Sequence, residues 1–337
     1  MSQLYYRPIP TLTPSARALR LAAGWVWFDR VEVLQRGGVA RQIPAAELPE
    51  DVRARLCDAR PDVAGLSMAR PQIMGILNTT PDSFSDGGLF DAPAAARAQA
   101  EQMVADGADV LDIGGESTRP GAQEVAIADE IARTAPVIAD LRARGVKLPI
   151  SIDTRKAAVA EAAIGAGANL INDVAAFSFD PEMAATARRL GVPACLMHAQ
   201  GAPETMQDNP QYEDVLFDVY DALEGHVQRA EAAGIARADL LVDPGIGFGK
   251  TLEHNLALLR GLSLFHGLGC GILLGASRKR FIGTLSDTPE ARERVAGSLA
   301  VALHGVAQGV QVLRVHDVKD THQALALWQP LARVETG

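Results

Sequence analysis

Residues 110–121 read Val-Leu-Asp-Ile-Gly-Gly-Glu-Ser-Thr-Arg-Pro-Gly, an apolar run that breaks at Gly114-Gly115 into an acid, two hydroxyls and an arginine. A buried strand followed at once by such a mixture predicts a scaffold whose strands end at a polar mouth. The same succession recurs along the chain. Short apolar runs at 72–77, 109–114, 149–153, 169–173, 193–198, 239–243, 271–276 and 311–316 predict strands. Between and after them, Ala-rich patterns near 93–106, 124–143, 156–166, 181–190, 213–233, 253–260, 289–307 and 318–328 predict helices. The runs show little polar alternation, as parallel strands covered by helices should. Eight such units in about 260 residues predict an α/β fold, a (β/α)8 TIM barrel. A doubly wound sheet is the alternative, but no GxGxxG follows the first strand.

Residues 1–70 have a different character. Trp25, Trp27, Phe28, Val31 and Val33 suggest a strand, Gln35-Arg36-Gly37-Gly38 a hairpin turn, and Val39 to Ile43 a returning strand. Prolines 8, 10, 14, 44, 49 and 61 interrupt the rest. The expected division is a small β-rich N-terminal extension and linker over 1–70, then a barrel over 71–330.

The chain has 337 residues, 48% of them hydrophobic, enough for one large core. Its net charge of −9 leaves no basic face for a nucleic acid. No apolar run nears the roughly 20 residues needed to cross a bilayer, so no membrane partner is expected. The N-terminus lacks the apolar segment of a signal peptide, which predicts a cytoplasmic protein. Cys57, Cys195 and Cys270 have no metal-binding or redox spacing, and Cys195 and Cys270, in or beside apolar segments, read as small buried hydrophobes.

A barrel enzyme builds its site from the C-terminal ends of its strands. In order, these ends carry Asn78; Glu116 with Thr118 and Arg119; Asp153; Asn172 with Asp173; His198; Asp243; Ser277 with Lys279; and Arg314 with His316. Asp153, Asn172 and Asp243 suit the amino and ring N–H edge of a heterocycle. Arg119, Lys279, Arg314 and His316 suit phosphate oxygens. The implied substrate has a hydrogen-bonding ring at one end and a phosphate-type group at the other, with carboxylates and cations expected on opposite walls. Asp243-Pro-Gly-Ile-Gly-Phe-Gly-Lys250 lacks the first glycine of a phosphate-cradling GxxxxGK[ST] motif, since Pro244 occupies that position. It reads as a tight turn bringing backbone and Phe248 to a ligand. His198 and His316 have no zinc spacing, and His226, His254, His266, His304 and His322 read as solvent-facing.

These segments resemble the dihydropteroate synthase family. The resemblance rests on Met74 to Gly88, Asp112 to Gly121, Ser151-Ile-Asp-Thr154, Ile171-Asn-Asp173, Cys195-Leu-Met-His198, Asp243-Pro-Gly245, Ser277-Arg-Lys279 and Arg314-Val-His-Asp317, collinear from residue 72 to about 328. It implies a transferase of folate biosynthesis that joins p-aminobenzoate to 6-hydroxymethyl-7,8-dihydropterin pyrophosphate, and a homodimer. It further implies pterin contacts from Asp153, Asn172, Asp243 and Lys279, with Met197 beside them. Arg314 and His316 would hold pyrophosphate, with Thr118 near it and Asn78 on Mg2+. Ser277, Arg119, Pro120, Phe84 and Phe248 would shape the p-aminobenzoate pocket. Asp153, Lys279, Arg314 and His316 would be the catalytic set. The loops at 81–88 and 116–121 are expected to close over the site. Thr79, Ile246 and Ala199 depart from frequent family residues and bear on pocket shape and sulfonamide sensitivity. The competing readings are a non-catalytic pterin-binding module, which would lack the Ser-Arg-Lys and Arg-Val-His-Asp anion sets, and a lyase of phosphorylated sugars, which would not need Asp153, Asn172 and Asp243 together.

Overall fold

Five short strands open the chain: β1 (Tyr5–Pro8), β2 (Leu19–Arg20), β3 (Trp27–Phe28), β4 (Arg30–Leu34) and β5 (Arg41–Pro44), followed by helix α1 (Glu50–Cys57). Strands β1, β4 and β5 form an antiparallel sheet, and β2 and β3 a two-stranded ribbon. Our computed structural model describes residues 3–80, 92–117, 123–201 and 205–332. The turn after β4 lies where the sequence puts it, with Gly37 at φ +65° and Gly38 N–H donating to Gln35 O. The returning strand starts later than expected, at Arg41, because Val39 is 95% exposed and has nothing to pack against.

Eight parallel strands follow: β6 (Gln72–Asn78), β7 (Val110–Gly114), β8 (Ile150–Asp153), β9 (Leu170–Asp173), β10 (Ala194–Met197), β11 (Leu240–Asp243), β12 (Gly271–Leu274) and β13 (Val312–Val315). Each pairs with the next, and β13 returns onto β6 to close the barrel. Around it lie α2 (Ala92–Ala105), α3 (Ile127–Ala143), α4 (Ala157–Gly165), α5 (Met183–Leu190), α6 (Val215–Ala232), α7 (Leu252–Arg260), α8 (Arg280–Ser286), α9 (Val295–Ala307) and α10 (Val318–Ala332). The (β/α)8 expectation holds. Helix α8 was not expected; it is only two turns long and carries Gly283 and Thr284, so it leaves little periodic signal. The caps are local chemistry: the Asp214 carboxylate accepts from the N–H groups of Leu216 and Phe217, and Thr251 forms a capping box with His254.

Strand alternation sorts the barrel into layers. One face of each strand meets the helices, as with Leu111, Ile113, Ile150, Ile152 and Val242. The other faces the lumen. Its lower layer is Met74, Val110, Leu170, Cys195, Leu241, Leu273 and Val312, fully buried, with Ser151 at the β8 position. Two residues further toward the strand ends the composition inverts: Ile76, Asp112, Asp153, Asn172, Met197, Asp243, Gly275 and Arg314. The barrel is thus apolar at its base and polar at its mouth.

The extension packs against the base and flank of this barrel. Val63, Leu66 and Met68 insert into the lower lumen layer. Arg60 donates to the carbonyls of Cys270 and His266 at 3.2 and 3.0 Å. Trp25 Nε1–H donates to Val306 O at 2.9 Å, and the Tyr5 ring stacks on Phe217 at 4.3 Å. Arg36 pairs with Asp218 and Asp221 on α6 at 2.6 and 2.8 Å. A cavity of about 430 Å³ remains between extension and barrel, lined by Tyr5, Tyr6, Arg55 and Tyr220 among others. It shares no residue with the mouth. His266 corrects the sequence reading: it is fully buried at this junction, not solvent-facing, because the flanking Leu262, Leu264, Phe265 and Leu268 draw the segment inside.

Candidate active site

Strand register brings the site together. Asn78 at the end of β6 stands beside Gly114, Gly114 beside Asp153, and Asp153 beside Asn172. Across the barrel, Met197 stands beside Asp243. Asp153, Asn172 and Asp243 are buried. Gly114 and Gly275 leave room for their neighbours: a Cβ on Gly114 would lie 3.4 Å from Asp153 Cβ, and one on Gly275 3.4 Å from Asp243 Oδ2.

Arg314 departs from the expected separation of charges. Its guanidinium lies among the carboxylates, with Nε donating to Asp112 Oδ2 and Nη2 to Asp153 Oδ2, both at 2.6 Å. Asn172 Nδ2 also donates to Asp112 Oδ2, at 3.2 Å. The reason is electrostatic: two carboxylates facing one lumen cannot be buried without a cation between them. Burial works against the Arg314 charge, but Asp112 and Asp153 more than offset it and its pKa rises. Burial pushes the Asp153 carboxyl upward, with Arg314 opposing and Asp112 adding to the push. Asp112 Oδ1 and Asp153 Oδ1 remain buried with no hydrogen-bond partner among the described residues. Such acceptors are costly unless a ligand satisfies them.

Asp112 was missed by sequence reasoning. It lies inside an apolar run, where one polar residue reads as an interruption. Its signal was the two-residue period: Val110, Asp112 and Gly114 share the lumen face.

Lys279 caps the start of α8. Its ammonium donates to Ile246 O and stands 4.4 Å from the centre of the Phe248 ring. Burial lowers its pKa to about 8, against the pull of Asp243. Burial likewise raises the Asp243 carboxyl, with Lys279 opposing, while Asp243 Oδ1 accepts from Gly245 N–H at 2.7 Å. Ser277 Oγ lies 3.1 Å from His316 Nδ1 and accepts from His316 N–H at 3.2 Å. The structure therefore gathers Asp153, Asn172, Asp243, Lys279 and Arg314 in one lumen, and pairs Ser277 with His316 at its edge.

Two expected residues serve the scaffold instead. Asp173 accepts from Ala175 and Phe177 N–H at 2.7 and 2.8 Å, shaping the turn after β9. Glu116 belongs to a buried network: it pairs with Arg155 at 2.9 Å and with Lys156, and accepts from Val125 N–H at 2.8 Å. Lys156 also pairs with Glu130 at 2.8 Å, and Glu130 accepts from Thr154 Oγ1 at 2.7 Å. Burial alone would raise the Glu116 pKa, but Lys156 and the Val125 amide bring it below the usual range. Phe84, Thr118, Arg119 and Pro120, and so most of both expected closing loops, lie outside the described residues. Among the described residues, no group of three or more His, Cys, Asp or Glu could hold a metal ion. Among them also, no helix is long and apolar enough to cross a membrane.

The family described as pterin binding enzyme matches residues 74–316, the span that carries this cluster. The chain is 48% identical over 271 residues to dihydropteroate synthase of Neisseria meningitidis serogroup B, covering 79% of this chain and 94% of that one. The chain belongs to the dihydropteroate synthase family. It is a transferase of folate biosynthesis, forming dihydropteroate from p-aminobenzoate and 6-hydroxymethyl-7,8-dihydropterin pyrophosphate. The Escherichia coli K12 dihydropteroate synthase is 45% identical over 260 residues, covering 77% of this chain and 91% of its own. Among solved structures, the Xanthomonas albilineans dihydropteroate synthase with 4-aminobenzoic acid superposes with a TM-score of 0.77 at 46% identity, over 81% of this chain and 98% of that one. The Yersinia pestis dihydropteroate synthase in a sulfonamide complex gives 0.76 at 45% identity, over 80% and 97%.

Proposed function

We propose that the barrel mouth performs this condensation with Asp153, Asn172 and Asp243 reading the pterin, Met197 and Lys279 flanking it, and Arg314, His316 and Thr118 facing the pyrophosphate. Ser277, Phe248, Phe84, Arg119 and Pro120 would then form the p-aminobenzoate pocket. The observation that carries this reading is the pair of unpartnered buried acceptors, Asp112 Oδ1 and Asp153 Oδ1, beside Asn172 and Asp243. A heterocycle rich in N–H donors answers them. The guanidinium of Arg314 has five N–H donors, of which Asp112 engages the one on Nε and Asp153 one of the two on Nη2.

The pterin methylene–oxygen bond breaks with its electron pair going to pyrophosphate. Arg314, His316 and Lys279 stabilise the charge on that leaving group. The electron-rich dihydropterin delocalises the cation left behind, and the Asp153 carboxylate offsets it. The amine lone pair of p-aminobenzoate then forms the C–N bond, and the nitrogen sheds a proton to restore neutrality. A neutral aromatic amine is a weak nucleophile, which favours bond breaking ahead of attack. The described residues do not build a resident metal cage. They fit an ion carried in by pyrophosphate, because Mg2+ bound to phosphates needs few protein donors and Asn78, which has an amide oxygen to offer, ends β6 beside Gly114. Mg2+ held there would neutralise pyrophosphate charge. The reading includes a cytoplasmic homodimer, and a division of the chain into an extension over 1–70 and a catalytic barrel over 71–330.

Pyrophosphate release from the pterin substrate, with and without p-aminobenzoate, tests the assignment. Release that depends on p-aminobenzoate is expected. Tight pterin binding without release would favour the non-catalytic module. Asp153→Asn should lower the rate more than the pterin affinity, and equal losses would reduce Asp153 to a binding role.

A further inference from the structure

Lys250 ends the Asp243–Lys250 run and has no part in the chemistry above. Its side chain is 4% exposed. Its ammonium lies 3.0 Å from Phe248 O, 3.0 Å from His198 Nδ1 and 3.4 Å from His198 O. An ammonium has three N–H donors, and here each has an acceptor. Burial pushes the Lys250 pKa down to about 7 and that of His198 to about 2, so the imidazole is neutral, and in the tautomer with its N–H on Nε2 its Nδ1 accepts from the ammonium. A buried amine is unfavourable unless its donors are satisfied. What those three bonds accomplish is therefore the question.

They tie the turn after β11 to the end of β10. The turn lies flat against that backbone: Gly245 sits at φ +67°, and a Cβ there would fall 1.8 Å from His198 O. Tyr212 O–H adds a bond to Gly249 O at 2.8 Å. The opposite side of the same turn meets Lys279. A Cβ on Gly247 would stand 3.0 Å from Lys279 Cδ, the Lys279 ammonium donates to Ile246 O, and it stands over the Phe248 ring. The turn is clasped between two lysines, with Lys250 behind it and Lys279 in front.

We propose that Lys250 is a positioning residue for the condensation: by pinning the 244–250 turn to His198 it fixes where Phe248 and the Ile246 carbonyl meet Lys279, and so the shape of the p-aminobenzoate pocket. The proposal rests on the reading of Phe248 and Lys279 as substrate contacts given above. A lysine that merely supported the fold would change stability without distinguishing the two substrates.

The test is steady-state kinetics on Lys250→Met, Phe248→Ala and the double variant, varying each substrate in turn, with a melting curve to confirm folding. Displacing a contact by a fraction of an ångström should raise the p-aminobenzoate KM of Lys250→Met about tenfold. The affinity for dihydropterin pyrophosphate should move by no more than about threefold. In the Phe248→Ala background the second substitution should add little to the p-aminobenzoate KM, because both remove the same contact. A folded Lys250→Met with a p-aminobenzoate KM within about twofold of the parent, while Phe248→Ala raises it, overturns the proposal and leaves the site reading intact. Fully additive effects overturn it too. If Phe248→Ala changes nothing, the site reading fails and the proposal falls with it. Should Lys250→Met not fold, Lys250→Gln is read in the same way, and failure of both to fold makes Lys250 a folding residue and overturns the proposal.

Discussion

Replacing Arg314 with methionine should make the stability of this protein steeply dependent on pH. The side chain keeps an unbranched apolar stem and loses its guanidinium, leaving Asp112 and Asp153, with side chains 0% and 6% exposed, without the cation that joins them. Removing one partner of a buried ion pair costs about 3–5 kcal/mol. Unfolding entropies of about 2.1 cal/mol/K per residue put a 337-residue chain at about 0.7 kcal/mol/K. The expected fall in melting temperature at pH 8 is therefore about 4–7 °C. Burial already pushes Asp153 upward and Arg314 opposes it, so its carboxyl rises further in the variant. A carboxyl whose folded pKa lies above its unfolded value, about 3.9, binds an extra proton in the folded state across the window between them. Stability is then lost as pH climbs through that window, by about 1.4 kcal/mol per unit for one proton. Above about pH 7, where the parent's Asp153 has given up its proton and the variant's has not, the gap should widen by about 2 °C per pH unit. Calorimetric melts of both proteins at pH 6, 7, 8 and 9 measure this. Parallel curves, with a gap constant to about 1 °C, would refute the picture of two carboxylates held apart by one guanidinium.

Other expectations are shorter to state. Lys156→Met should lower the melting temperature by about 4–7 °C at neutral pH, because Glu116 and Glu130 lose a shared buried partner; adding Glu130→Gln should recover part of the loss, and simple additivity would count against a network. Affinity for dihydropterin pyrophosphate should weaken as pH rises through about 8, where Lys279 gives up its proton; titration calorimetry from pH 7 to 9 would show it, and a flat profile removes Lys279 from anion binding. Gly245→Ala should cost about 2–5 kcal/mol, from a left-handed backbone plus overlap with the His198 carbonyl; a denaturant midpoint equal to the parent's would contradict the close approach.

The barrel was legible because its strands are unbroken apolar runs and its helices alternate with them. Asp153, Asn172 and Asp243 were legible because each sits where an apolar run stops. Asp112 was not, since Val110-Leu-Asp-Ile-Gly114 reads as core unless the alternation is followed residue by residue. Arg314 was found but its neighbours were not: strand order places β13 three strands from β8, and only the closed lumen brings its guanidinium to Asp153. The docking of the extension was invisible for a similar reason. Its contacts, such as Arg36 with Asp218 and Asp221, link positions more than 180 residues apart through single charges.

Val63, Leu66 and Met68 act as a stopper in a drain. A chain trimmed to begin at the first barrel strand would keep every catalytic group yet leave a greasy hole open to water beneath them. The leading segment is thus no detachable ornament, and anyone shortening the gene for expression should cut well upstream of the stopper.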